Sequence, residues 1–371
     1  MPVDRNRADD RFDRILVVCM RQLGDVLLTT PLIHAAKERW PAAAIDVLGF
    51  GGTLGMLRGN PDVAELIEVP VGSGWLASRA LIARLWRRYD LALISTYSDR
   101  AHLYGFAAAK RRAGQVTDEP KAWWKRALLE HAVRMNDDQS HAVLEKLRLL
   151  APWVAPTAVR LVPPPAMPLP ADVAAALVAP YAVLQVPAAV TYKQWPLAHW
   201  RALAEALVAR GLQVVLTGAP SANDRAMVAA VQSGFNPSHV LDVAGRLDLN
   251  QVGALLRGAA IYVGGDTSIT HLAAAVETPA VALYGPINPR YFGPWPPSEV
   301  PVVPYANRGD AQRAGRVVVM QGSMPCVPCD RAGCFDRNDS TSLCLLTMAP
   351  SRVLEQVDRI VASREDRAEG Q

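Results

Sequence analysis

The sequence predicts an α/β fold built from two doubly wound halves, and three observations carry that prediction. Short apolar runs alternate with helical patterns through most of the 371 residues. That alternation stops once, in the proline-dense stretch 151–170, and then restarts. The length also suits two domains of ordinary size.

Each element has a local reason. Ile15 to Met20 (ILVVCM) reads as a strand buried on both faces, and Asp25 to Trp40 as the helix that follows it. Ile45 to Phe50 and Leu91 to Ser95 are further strands. In Ala151 to Pro170 the run Pro163-Pro164-Pro165 can neither donate to a ladder nor sit inside a helix, so the domain boundary falls there. Tyr181 to Val186 opens the second half. Pro196 to Arg210 follows as a helix with Trp200, Leu203, Ala204, Leu207 and Val208 on one face and Gly211 as its stop. Val214 to Thr217, Ile261 to Val263 and Val281 to Tyr284 are the next strands. Ser351 to Ala362 reads as a last amphipathic helix and Ser363 to Gln371 as a charged, frayed tail. In such folds ligands bind beyond the carboxyl ends of the strands, here in a cleft between the halves.

Composition narrows the function classes. Half the residues are hydrophobic and a fifth charged, enough for real cores and against wholesale disorder. A net charge of +4 is too small to imply nucleic acid, though it suits phosphorylated substrates. Met1 to Arg14 lacks the apolar core of a secretory leader, and no run is apolar enough to span a bilayer. A cytoplasmic protein with reduced cysteines is expected.

Four constellations bear chemistry. In Arg21-Gln22-Leu23-Gly24-Asp25 a glycine turns the chain from strand to helix, and Asp25 is either a helix cap or a general base at the strand end. Thr191 and Lys193 precede a helix start, where a hydroxyl, a cation and the helix dipole could meet a phosphate; the alternative is an exposed loop lysine. Gly264-Gly265-Asp266-Thr267-Ser268 follows a strand and opens a helix whose free amides suit a diphosphate, with Asp266 as its cap in the plainer reading. His271 is a ligand residue or a hydrogen-bonded core histidine. Cys326, Cys329, Cys334 and Cys344 include a Cys-x-x-Cys pair and are either a zinc tetrad or four reduced thiols. Neither a Gly-x-Gly-x-x-Gly dinucleotide fingerprint nor a phosphate loop ending Gly-Lys-Ser/Thr is present. No Asp-x-Asp pair offers a clamp for a divalent ion. Arg84, Arg87, Arg88, Lys110, Arg111, Arg112, Lys121, Lys125 and Arg126, interleaved with Trp86, Trp123 and Trp124, read as an anion- or membrane-facing surface, or as solvated helix faces over packed tryptophans.

Taken in order, these blocks resemble glycosyltransferase family 9, the ADP-heptose:lipopolysaccharide heptosyltransferases. The resemblance rests on Arg21-Gln22-Leu23-Gly24-Asp25-Val26-Leu27-Leu28-Thr29-Thr30-Pro31, on Lys193-Gln194-Trp195-Pro196 with Trp200, on Gly265-Asp266-Thr267 through His271-Leu272-Ala273-Ala274-Ala275, and on Tyr284-Gly285-Pro286. It spans roughly residues 14–360.

The resemblance implies a GT-B fold, two Rossmann-like domains facing a central cleft. Residues 1–165 would bind the acceptor, 166–349 the nucleotide sugar, and 350–371 would form a helix and tail returning to the first domain. It implies an inverting transfer that needs no metal or other cofactor, from ADP-heptose to a lipopolysaccharide core or lipid-linked oligosaccharide acceptor. Peripheral contact with the inner membrane and no nucleic acid partner go with it. Asp25 would then be the base, with Arg21, Gln22 and Gly24 on the acceptor side. Thr191 and Lys193 would face the diphosphate, while Asp266, Thr267 and neighbouring amides hold the nucleotide and Asp224 the ribose. Two departures bear on the donor. Val186-Pro187-Ala188 stands where the family often has His-Pro-Gly, and Ser268-Ile269-Thr270 replaces the commoner Gly-Pro-Met. The competing expectations are a family relative with another donor or a protein acceptor, a GT-B-like epimerase or hydrolase, and a non-catalytic sugar-nucleotide-binding protein.

Overall fold

The computed structural model describes residues 10–69, 75–135, 139–155, 159–297 and 302–369. They divide into two compact units, one running to Pro165 and one from Ala166 onward, with Val302 grouped with the first.

The first unit carries a six-stranded sheet: β1 (Arg14–Cys19), β2 (Ala44–Phe50), β3 (Glu65–Val69), β4 (Tyr89–Ile94), β5 (Ala109–Val116) and β6 (His131–Arg134). The order is β3-β2-β1-β4-β5-β6, and every pairing is parallel. Consecutive residues of β1 and of β4 are buried, so both sheet faces are covered there and the strands read as unbroken apolar runs. The chain winds outward from β1 to β3, returns to β4 beside β1, and continues the other way. The carboxyl ends of β1 and β4 therefore flank a topological switch point, where open α/β sheets bind ligands.

The second unit repeats the scheme. Its strands are β7 (Tyr181–Gln185), β8 (Gln213–Thr217), β9 (Val240–Asp242), β10 (Ile261–Gly265), β11 (Ala280–Tyr284), β12 (Ala311–Ala314) and β13 (Val317–Gln321). They lie in the order β12-β13-β11-β10-β7-β8-β9, parallel except for the β12–β13 hairpin. The switch point falls between β7 and β10. Trp195 and Trp200 meet edge-on at 4.9 Å in its core.

The helix Leu197–Ala209 stops as the sequence indicates. Gly211 takes φ +80°, its amide donates to Val208 O and that of Leu212 to Leu207 O, so two terminal carbonyls are satisfied at once.

Several expectations change. The single helix Asp25–Trp40 is two, Leu23–Leu27 and Thr30–Arg39. Pro31 has no amide to give to Leu27 O, and the Thr30 hydroxyl donates to that carbonyl instead at 2.7 Å. Gly24 lies inside the first of these helices without a positive φ, so it is not the turn the sequence suggested. The last helix runs Pro350–Glu369, beyond the expected Ala362. Its buried stripe Val353, Val357 and Ile360 joins the core of the second unit, and Arg210 pairs with Asp358 at 2.8 Å. Within this unit it packs on the helix Leu197–Ala209.

The basic surface is also smaller than it read. Lys110, Arg111 and Arg112 lie on β5 rather than on a helix. Arg111 pairs with Asp10 and Glu130, Lys125 is buried against Asp99, and Arg84 pairs with Glu65.

Packing leaves no room for a side chain at Gly264. A Cβ at Gly264 would stand 2.0 Å from the Tyr262 hydroxyl, whereas one at Gly52 would meet nothing within 4 Å. Gly264→Ala should destabilise the protein by about 1–3 kcal/mol, as overpacking does, and Gly52→Ala should not. Thermal and denaturant unfolding of both variants check this.

Candidate active site

Each unit places polar residues at its switch point. In the first, β1 leads into the helix Leu23–Leu27, whose N-cap residue Gln22 is exposed and offers no side-chain cap. Asp25 sits in the first turn with its side chain only 13% exposed. Arg21 Nε lies 3.5 Å from one carboxylate oxygen, and Lys146 Nζ lies 3.8 Å from the other. The Arg21 guanidinium also stands over the ring of Tyr97, which follows β4. Burial works against the Arg21 charge, but Asp25 and Tyr97 outweigh it and raise its pKa. The Asp25 backbone carbonyl accepts from the Thr29 hydroxyl at 2.7 Å and from Lys146 Nζ at 3.5 Å. Asp25 is therefore a fixed, half-buried carboxylate between two cations, and not a capping residue.

In the second unit, β7 ends in a loop braced by side-chain amides. Gln185 donates to Pro187 O, and Gln194 to Ala188 O. Thr191–Lys193 then forms one tight turn. Trp195 anchors its far side by donating to Met348 O at 2.9 Å. Lys193 Nζ reaches Asp266 Oδ2 at 2.6 Å, and the carboxylate is almost wholly buried. This ion pair joins the residues after β7 to those after β10.

Gly264 and Gly265 prove to be the last residues of β10 and not part of a loop. Gly264 makes room for the Tyr262 ring. At Gly265 a Cβ would come within 3.2 Å of Lys193 O, so this glycine admits the Lys193 turn. The helix after β10 is Ser268–Ala275, with Thr267, not Asp266, as N-cap residue and no side-chain cap on its first turn. That leaves its leading amides suited to an anion. Ser268 is its first, half-buried residue, and His271 is buried. Asp224 accepts from Ala219 N and from the Ser221 hydroxyl, so both its oxygens serve the turn that starts the helix Ala222–Gln232. Its ribose role gains nothing from this geometry.

The family model for glycosyltransferase family 9 (heptosyltransferase) matches residues 78–315. The chain belongs to glycosyltransferase family 9. Lipopolysaccharide heptosyltransferase 3 of Escherichia coli is 31% identical over 74% of this chain and 84% of that protein. Among solved structures, the E. coli ADP-heptose lipopolysaccharide heptosyltransferase II superposes with a TM-score of 0.71 at 22% identity, covering 95% of this chain and 99% of that one. The E. coli heptosyltransferase WaaC with ADP gives 0.68 at 19% identity over 94% and 99%. These likenesses establish the GT-B fold and a glycosyltransferase.

Three residues beside these candidate groups escape sequence reasoning. Lys146 sits in the helix Ala142–Leu147, where a lysine next to a glutamate looks like an ordinary solvated face, yet both are buried. Thr270 is wholly buried, donates to Gly265 O at 2.5 Å and lies 2.8 Å from the Tyr262 hydroxyl, fixing the end of β10. Tyr284, at the end of β11, is buried beside Asp266; burial first and that carboxylate second push its phenol well above the usual range.

Cys326, Cys329, Cys334 and Cys344 line a single cavity of about 400 Å³ with Pro286 and Arg331. Burial, with the three other thiols nearby, pushes the Cys344 thiol up to about 11. Among the described residues no three His, Cys, Asp or Glu side chains are gathered closely enough to hold a metal ion as they stand.

Because Asp25 is partly buried and flanked by two cations, removing one partner leaves a charge short of compensation. Lys146→Met should cost less stability than Lys146→Ala, which also opens a cavity; we expect roughly 1–3 kcal/mol for the alanine variant by denaturant titration. Equal and negligible effects would mean that Lys146 supports nothing there.

Proposed function

We propose that this protein transfers a heptose from ADP-heptose to the lipopolysaccharide inner core, with inversion at the anomeric carbon. Its relatives are named lipopolysaccharide heptosyltransferases, one of them with ADP-heptose in its name. The observation that carries the reading is the Lys193–Asp266 pair at the head of an uncapped helix beside the β7–β10 switch point.

In this reading the second unit binds the donor. Its diphosphate meets the Lys193 ammonium and the leading amides of Ser268–Ala275, with Thr191 and Thr267 adding hydroxyl donors. As the glycosidic bond breaks, negative charge grows on the departing diphosphate, and preset cations and amides stabilise it there. Asp266 does not hold phosphate, since two anions would repel. It forms an ion pair with Lys193 and keeps the ammonium aimed. No divalent ion is needed for this charge balance.

The first unit binds the acceptor, and Asp25 takes the proton from its attacking hydroxyl. Arg21 and Lys146 hold the carboxylate in place, and the incoming phosphorylated acceptor is expected to draw Arg21, the more exposed of the two, toward itself.

No helix among the described residues is long and apolar enough to cross a membrane. The reading places the protein on the cytoplasmic side, with a peripheral contact through the exposed Trp86, Arg87 and Arg88, where the Arg87 guanidinium stands over the Trp86 ring.

Transfer assays with ADP-heptose and a heptose-deficient core acceptor test the reading. Asp25→Ala should lose about 10²–10⁴-fold in rate with ADP affinity intact, since a positioned base contributes that much. Lys193→Ala should lose roughly 10²–10³-fold, as removal of an anion-stabilising donor does. Full activity of Asp25→Ala would remove it from the base role, and donor hydrolysis independent of acceptor would make the protein a hydrolase.

A further inference from the structure

The segment 322–342 has no helix or strand. Twenty or so residues without regular structure are uncommon inside a compact unit unless something ties them down. An apolar core does not: from Gly322 to Ser342 the only buried large apolar side chain is Val327, and Phe335 is 79% exposed. What the segment does have is three cysteines, with Cys344 just beyond it, and all four line one cavity.

The surroundings are shaped for these sulfurs. Gly285 and Gly322 give Cys344 its room, since a Cβ at Gly285 would stand 3.2 Å from its Sγ and one at Gly322 2.5 Å from its Cβ. Gly333 turns the chain with φ +76° just before Cys334. The Leu343 amide donates to Cys334 Sγ at 3.3 Å, a contact that favours an electron-rich sulfur. The Cys329 amide donates to Pro286 O, and that of Cys334 to Thr341 O, so the backbone already brings the cysteines around one space.

We infer that Cys326, Cys329, Cys334 and Cys344 bind one structural transition-metal ion, zinc or iron, as a four-thiolate tetrahedral site. Binding replaces each S–H proton with a metal–sulfur bond and releases those protons to solvent; no electron is transferred. Closing the site requires the thiols to rotate inward from the cavity wall. Cys326 and Cys334 have exposed side chains and Cys329 a partly exposed one, so they are free to do so.

The site would have a structural consequence for the donor side. The same segment touches the turn that carries Lys193: the Thr191 amide donates to Asn338 O at 3.1 Å, and the Ser342 hydroxyl to Tyr192 O at 2.7 Å. Metal binding would stiffen that turn from behind without contacting substrate.

The test is elemental analysis of the full chain purified under reducing conditions, with zinc and iron measured separately. About one ion per chain is expected, which also tells the two metals apart. Cys329→Ser and Cys334→Ser should each lower bound metal at least tenfold, as loss of a ligand does, while Cys19→Ser, outside the cavity, should keep it. If either serine variant fails to fold, Cys326→Ser, at an exposed position, replaces it. Metal removal should expose four more thiols to a thiol reagent and speed proteolysis within 322–342, and both readouts are independent of transfer activity. The inference is overturned if the protein stays metal-free after reconstitution with zinc and with ferrous iron. It is equally overturned if the serine variants retain metal, or if the four cysteines are found as disulfides in the reduced protein.

Discussion

The second unit's active end depends on one ion pair, Lys193 with Asp266. It links the turn after β7 to the residue after β10, across the switch point between those two strands. A lysine on a free loop is a mobile charge that must lose side-chain entropy to bind anything. Held at 2.6 Å by a buried carboxylate, with its backbone against Gly265, it is already placed. The surrounding features serve that placement: Thr270 fixes the Gly265 carbonyl, Gln194 ties the loop, and Trp195 anchors the turn to the chain before the last helix.

The first unit solves the opposite problem. A half-buried carboxylate without partners is costly. Arg21 and Lys146 supply the partners, and Thr29 fixes the backbone beneath.

Much of this was legible in the residues. Parallel strands buried on both faces are continuous apolar runs, so β1, β4, β7 and β11 were visible and fixed the α/β class. Strands that carry charge were not: β5 contains Lys110, Arg111 and Arg112, and Arg111 and Arg112 are met by Asp10, Glu130 and carbonyls that sequence cannot locate. The Gly264-Gly265 pair was seen, but its reasons were not, because one glycine yields to a tyrosine two residues back and the other to a turn seventy residues away. What the last helix packs on within its own unit was hidden for a similar cause. An amphipathic stripe shows that a helix is buried, not against what. Lys146 was invisible because a buried lysine and a solvated one look alike until the partner carboxylate is placed.

The account stands on the second unit being a preset site for the leaving nucleotide diphosphate. Titration calorimetry of ADP, UDP, GDP and CMP, each with and without EDTA, tests it most directly when repeated on Lys193→Ala. The account predicts a preference for ADP that survives EDTA and is weakened in the variant. Binding that prefers another nucleotide, that vanishes with EDTA, or that ignores the loss of Lys193 would contradict it.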